Sequence, residues 1–221
     1  METEIGGKHF EVRLIPVRVR NQRTGSLLIF NDITERKQDE RELIRRATTD
    51  GLTNLYNRIY FLELLDQARN DCLTSGAPIS LALIDVDFFK NINDQYGHIA
   101  GDRVLQHFTA QLLDVTREIG VAGRMGGEEF AVFLPDTDGL AAYTLAEKLR
   151  QRVLQERPAL SGIGDSANGI EYSISVGVAE LEYAEMSIES WYNLADTCLY
   201  ASKQKGRNQT TLAPKKAMPC K

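Results

Sequence analysis

An apolar run, Leu81-Ala-Leu-Ile84, passes without a break into Asp85-Val86-Asp87, and no other stretch of the chain restricts its fold as tightly. The run reads as a buried strand over residues 80–86, and strand alternation puts Asp85 and Asp87 on one face. Carboxylates at the end of a buried strand are costly unless a cation meets them. A hard divalent ion such as Mg²⁺ is the natural partner, because it prefers oxygen ligands and substrate phosphates. The alternative is that one aspartate caps or turns the segment that follows, Asp87 more readily than Asp85.

From residue 50 onward helical and extended patterns alternate. Residues 56–72 read as a helix with Ile59, Phe61, Leu62, Leu65 and Ala68 near one face. Residues 102–119 carry Val104, Leu105, Phe108, Leu112 and Val115 at helical spacing. Residues 139–155 and 188–203 are further helices; 129–134, 172–179 and 209–212 are strands. Interleaved helices and a hairpin give an α/β (α+β) class with a mixed sheet. Residues 158–169 read as a loop and 213–221 as a disordered tail.

The N-terminal part differs. Over residues 1–33, Phe10, Val12 and Leu14 alternate, Val17 and Val19 follow a slip at Pro16, and a turn at 21–25 leads to a second strand at 26–31. Two strands alone are marginal in water, so this unit is incomplete or packs on something else. Residues 34–49 read as a linker helix, with Asp32 or Thr34 capping its start. Its apolar positions, Ile33, Leu43, Ile44 and Ala47, make a stripe too thin to separate a coiled coil from a solvated connecting helix.

Composition closes off other classes. At about 100–200 residues per domain, a chain of 221 residues is one domain plus a piece. Its apolar runs fall far below the roughly 18 residues needed to span a bilayer, and the acidic opening Met1-Glu-Thr-Glu lacks the apolar core of a leader. Cys72, Cys198 and Cys220 are odd in number and widely spaced, which suits a reducing, cytoplasmic compartment rather than a disulfide framework. A net charge of −5 argues against a DNA or RNA partner but not against a small nucleotide in a local cationic or metal site.

A second acidic segment is Gly123-Arg-Met-Gly-Gly-Glu-Glu-Phe130. Gly126-Gly127 reads as a two-residue hairpin turn, with Glu128 and Glu129 just past its tip. Beside Asp85 and Asp87 these glutamates would repel without a metal. Alone, they read equally as a solvated hairpin.

Taken together, Asp85-Val-Asp87-Phe-Phe-Lys90, Asn93-Asp94, Gly101-Asp102 and Gly126-Gly-Glu-Glu-Phe130 resemble the GGDEF-domain diguanylate cyclases, in a GGEEF variant. Asp50-Gly-Leu-Thr-Asn-Leu-Tyr-Asn-Arg58 and Tyr200-Ala-Ser-Lys203-Gln-Lys-Gly206-Arg207-Asn208 agree, so the resemblance covers residues 48–212. It implies a palm-like nucleotidyl-cyclase fold over residues 50–212, a central, mostly antiparallel sheet wrapped by helices. It implies condensation of two GTP into cyclic di-GMP with release of two pyrophosphates. Asp85, the Val86 carbonyl and Glu128 would hold Mg²⁺ or Mn²⁺, with Glu129 at a second metal position, and Glu128 would be the general base. Lys90 would stabilise phosphate charge, and the Phe88 and Phe89 amides would open a helix toward the anion, their rings reading as core. Asn93 and Asp102 would read the guanine edge with His98 lining the pocket. Asp102 reads alternatively as the cap of the following helix. Lys203 and Arg207 would grip the terminal phosphates.

The family's inhibitory product site is an Arg-x-x-Asp; here that window is Arg117-Glu-Ile-Gly120, and glycine offers no acceptor for a bound guanine. Residues 10–36 resemble the last strands and exit of a PAS sensor domain, which would make 34–49 a signalling helix. Each domain would hold one GTP and half a reaction, so a homodimer is expected in the working state. The rival reading is a catalytically weak, nucleotide-binding regulatory domain.

Overall fold

The computed structural model describes residues 1–19, 22–158, 169–182 and 186–215; the loop expected at 158–169 and the tail expected at 213–221 lie largely outside them. The chain divides into two compact units, Met1–Thr48 and Thr49–Lys221.

The first unit is an antiparallel meander of β1 (Glu2–Ile5), β2 (Lys8–Val19) and β3 (Gln22–Asp32), followed by α1 (Thr34–Thr48). Three strands stand where two were expected. β1 has no apolar alternation to announce it and is held by backbone pairing to β2, from Glu2↔Glu11 to Ile5↔Lys8. β2 runs through Pro16, and the ladder slips just beyond it, between Val17 and Arg18. β3 already starts at Gln22, inside the expected turn. Asp32, rather than Thr34, supplies the capping oxygen of α1: its Oδ1 accepts from the Thr34 N–H at 3.0 Å.

The second unit runs β4 (Tyr56–Asn57), α2 (Arg58–Ser75), β5 (Ile79–Val86), α3 (Phe89–Tyr96), α4 (His98–Thr116), β6 (Val121–Gly126), β7 (Glu129–Pro135), α5 (Gly139–Gln155), β8 (Ile174–Glu180), α6 (Ile188–Gln204) and β9 (Thr210–Leu212). Its sheet has the order β4-β6-β7-β5-β8-β9. The four central strands are antiparallel, and only the short edge strands β4 and β9 pair in parallel. This is the palm-like, mostly antiparallel sheet that the resemblance implies.

Strand alternation divides the core. Leu81, Leu83, Ala131, Phe133 and Ala179 face α2 and α6, which answer with Phe61, Leu65, Trp191 and Leu199. Ala82, Ile84, Phe130, Val132, Ile174 and Val176 face α3, α4 and α5 through Phe89, Val104, Phe108 and Leu149. α6 lies directly on the sheet at Gly177, where a Cβ would stand 2.2 Å from the Ala195 carbonyl oxygen and the Leu199 amide nitrogen.

Two helices begin elsewhere than expected. α2 starts at Arg58, because Tyr56 and Asn57 pair with β6 and the Asn57 side chain caps the helix by accepting from the Tyr60 N–H at 3.0 Å. α4 starts at His98, four residues before Asp102, so Asp102 lies within the helix and is not its cap. A Cβ on Gly101 would stand 2.0 Å from Asn93 Oδ1, so α3 and α4 approach through a glycine that conceals the helix start in the sequence pattern.

Candidate active site

The end of β5, the β6–β7 turn, the approach to β8 and the end of α6 meet at one end of the central strands of the second unit's sheet. Asp85 shares the α6 side with Leu81 and Leu83 and is 7% exposed. Lys203, in the last turn of α6, brings Nζ to 2.8 Å from its Oδ2. Burial pushes the Asp85 carboxyl above its ordinary value. The Lys203 hydrogen bond and charge pull it down, while the charges of Glu128 and Asp87 push it up again. The site therefore favours added positive charge.

Asp87, 2% exposed, is held differently. It accepts from Ser173 Oγ at 2.6 Å, Ser175 Oγ at 2.7 Å and the Asn208 N–H at 3.0 Å. The two aspartates are neighbours, but one meets a cation and the other a set of neutral donors.

The acidic turn is displaced by one residue from the sequence reading. Gly126 pairs with Glu129, so Gly127 and Glu128 are the turn residues, and Glu128 stands at the tip rather than past it. Gly126 at φ 144° and Gly127 at φ 53° take conformations that side chains disfavour, which is why both are glycine. Glu129 opens β7 opposite Asp85 in the ladder, and the Val86 N–H donates to the Glu128 carbonyl at 3.2 Å. Asp85, Val86, Glu128 and Glu129 are thus brought to one place. Among the described residues no three acidic, histidine or cysteine side chains form a ready-made metal cage. Two carboxylates and a carbonyl leave positions for water and phosphate, which suits a hard cation such as Mg²⁺.

Phe88 and Phe89 part company. Phe89 is core, as expected, but Phe88 is 57% exposed with φ 55°, and the Arg207 guanidinium carbon lies 4.5 Å from its ring centre. Phe88 precedes α3 without a side-chain cap, which leaves the first amides of the helix open. Lys90 is exposed in the first turn of α3. Asn93 Oδ1 is buried with no hydrogen-bond partner and presses toward Gly101, next to Asp102. Asp102 and His98 are exposed on the first turns of α4. A cavity of about 700 Å³ lies beside α3, lined by Asn91, Gln95, Tyr96, Arg157 and Tyr172, and reaches Phe88 and the Asp87, Ser173 and Asn208 cluster.

Sequence reasoning gave no role to the group that fixes the acidic turn. Arg124 donates to the Gly127 carbonyl from Nε at 3.0 Å and Nη2 at 2.7 Å, and from Nη1 to Asp50 Oδ1 at 3.0 Å. Asp50 Oδ1 also accepts from the Thr53 N–H and hydroxyl. The signal was present as Asp50-Gly-Leu-Thr53 and as the arginine before the double glycine; their contact spans 74 residues.

A family model described as "Diguanylate cyclase, GGDEF domain" matches residues 47–209. Diguanylate cyclase A of Treponema denticola is 39% identical over 175 residues, covering 78% of this chain and 46% of that protein. Diguanylate cyclase DgcM of Escherichia coli is 35% identical over 206 residues, 93% of this chain and 48% of that protein. The chain thus spans about half the length of these relatives. Among solved structures, the coiled coil and GGDEF domain of DgcB from Caulobacter crescentus, in complex with c-di-GMP, superposes with a TM-score of 0.72 at 36% identity, covering 80% of this chain and 92% of that one. The active GGEEF domain of a diguanylate cyclase from Vibrio cholerae gives 0.62 at 31% identity, covering 68% and 92%.

Proposed function

The chain belongs to the diguanylate cyclase GGDEF family, and from that premise we propose that it condenses two GTP into cyclic di-GMP and releases two pyrophosphates. The observation that supports this most is the buried Asp85 carboxylate, matched by Lys203 and set beside the Glu128 turn. In this reading Asp85, the Val86 carbonyl and Glu128 hold Mg²⁺ or Mn²⁺, with Glu129 at a second position. The donor set is all oxygen and its buried carboxylate favours positive charge, as such a cation requires. A divalent cation held there would supply positive charge to the triphosphate and to the attacking 3′-oxygen.

The protein's own groups do the rest. Glu128 takes the proton from the attacking 3′-hydroxyl. Lys90, Lys203 and Arg207 meet the phosphates, and the uncapped amides at Phe88 and Phe89 donate to them. The orphaned amide oxygen of Asn93 and the carboxylate of Asp102 read guanine, with His98 at the pocket wall. Asp102 accepts from N1–H and N2–H₂, a donor pair that adenine lacks, so GTP is preferred over ATP. Each copy holds one nucleotide, and two copies must face each other to bring the 3′-oxygen to the α-phosphorus. With Gly120 in place of the aspartate of the inhibitory site, product inhibition by that route is weak. Residues 1–33 are the end of a PAS-like sensor, and 34–49 carry its signal to the cyclase at 50–212. Among the described residues no helix is long and apolar enough to cross a membrane.

Incubation of concentrated protein with GTP or ATP and Mg²⁺, followed by nucleotide separation, tests this reading. Cyclic di-GMP from GTP alone is expected, with a loss of about 10²–10⁴-fold in Glu128→Ala. Nucleotide binding without product from folded, dimeric protein would favour the regulatory-domain reading instead.

A further inference from the structure

Asp87 is more deeply buried than Asp85, yet its oxygens are taken up by donors of the protein itself. Oδ1 accepts from Ser175, and Oδ2 accepts from Ser173 and from the Asn208 N–H. Two of these donors flank the start of β8. The third belongs to the turn between α6 and β9, and that turn is unusual. Gly206, Arg207 and Asn208 all have positive φ, at 111°, 64° and 49°. Non-glycine residues persist in this region only where their surroundings over-determine it. Here they do so from several sides. Asn208 Oδ1 accepts from Arg150 Nη1 at 2.9 Å, and Arg150 is itself paired with Glu147 at 2.8 Å. Gln209 Nε2 donates to the Ser202 and Arg207 carbonyls at 3.1 and 3.2 Å.

The turn carries Arg207, whose guanidinium lies over the ring of Phe88. Phe88 is the residue next to Asp87 and also has positive φ. One carboxylate therefore fixes both partners of this stack, Phe88 through the chain and Arg207 through the Asn208 amide. We propose that Asp87 is a positioning residue for substrate phosphates: it holds the Gly206–Asn208 turn so that Arg207 faces them. This rests on the reading that Arg207 binds phosphate. The carboxylate is suited to the task because it can accept from three donors at once. An asparagine can keep these contacts only by turning its N–H₂ onto a serine hydroxyl, and its bond from the Asn208 N–H loses the charge that strengthens it.

The test is equilibrium titration, in Mg²⁺, with a GTP analogue carrying a methylene between the α and β phosphorus, and in parallel with GMP, which has no terminal phosphates. Asp87→Asn is expected to weaken the analogue about tenfold, the scale of a hydrogen bond to a charged group, and to leave GMP within about twofold. Arg207→Ala should do the same, and the double variant should bind the analogue no more than about twofold worse than Arg207→Ala alone. Unchanged analogue affinity in Asp87→Asn, equal loss for analogue and GMP, or full additivity with Arg207→Ala would overturn the proposal. If Arg207→Ala itself leaves the analogue unaffected, the phosphate reading of Arg207 fails and the proposal with it. Should Asp87→Asn not fold, Ser173→Ala removes a single donor. An about threefold loss for the analogue alone is then expected, and loss for both ligands or for neither would overturn the proposal.

Discussion

In β5 of the second unit all eight residues are buried between two helical layers, whereas in β2 and β3 of the first unit Leu14, Leu27, Leu28, Ile29 and Phe30 are 40–59% exposed. Both regions are rich in apolar strand residues. The difference is cover. β5 has α2 and α6 on one side and α3, α4 and α5 on the other. The first unit has apolar side chains on both sheet faces, Leu14 opposite Leu28 on one and Ile15 opposite Leu27 on the other. It has one helix, whose Leu43 and Ile44 are themselves exposed. An apolar strand pattern states what a surface requires; the number of elements available decides whether the requirement is met.

The sharpest way to break this comparison is a pair of truncations. Trp191 is fully buried and its Nε1 donates to the Ala179 carbonyl at 2.9 Å, so Trp191→Ala should cost about 3–5 kcal/mol in denaturant unfolding. Phe30, 54% exposed, should cost less than about 1 kcal/mol on the same change. Equal costs would mean that the first unit's apolar faces are covered after all.

Next in size is Gly177→Ala, which sets a methyl against the α6 backbone and should cost about 1–3 kcal/mol through overpacking. Unchanged stability would show that α6 rides loosely on the sheet.

Asp50→Asn should cost about 1–2 kcal/mol. Burial pushes the Asp50 carboxyl up, but the hydrogen bonds from Thr53 and Arg124 outweigh it and hold the carboxyl below its ordinary value. Its stabilisation is therefore complete above about pH 4 and is lost as pH falls through the lowered folded value. A variant with the wild-type acid limb in its stability–pH curve would contradict this.

The smallest effect belongs to His107, whose Nδ1 lies 2.9 Å from the Tyr172 hydroxyl. Burial lowers its pKa, Glu156 opposes this and Arg152 adds to it. The unfolded chain then binds the extra proton first, so stability should decline as pH falls from about 6.5 toward the lowered folded value. His107→Gln should flatten that part of the curve.

Much of the second unit was legible in its residues. The bounds read for α5 match its end residues, and the structure adds the cap, Asp138, whose side chain accepts from the Ala141 N–H. The β5 strand and its carboxylates stood out because a buried run ending in charge has few explanations. What escaped is what depends on distant partners. β1 has no pattern of its own, the start of α4 is hidden by Gly101, and the Asp50–Arg124 pair joins segments far apart in the chain. Phe88 was read as core because its composition says so; its positive φ turns it outward. The division of labour between Asp85 and Asp87 needed the donors, Lys203 on one side and Ser173, Ser175 and Asn208 on the other.

The most direct measurement is the initial rate of cyclic di-GMP formation from GTP and Mg²⁺ across a range of enzyme concentrations, with Glu128→Ala alongside. The predicted result is a rate that rises faster than linearly with wild-type protein over concentrations where its copies dissociate, and a rate about 10²–10⁴-fold lower from the variant. A strictly linear rate with a monomeric mass would contradict the shared site, and a wild-type rate in Glu128→Ala would contradict the chemistry assigned to the acidic turn.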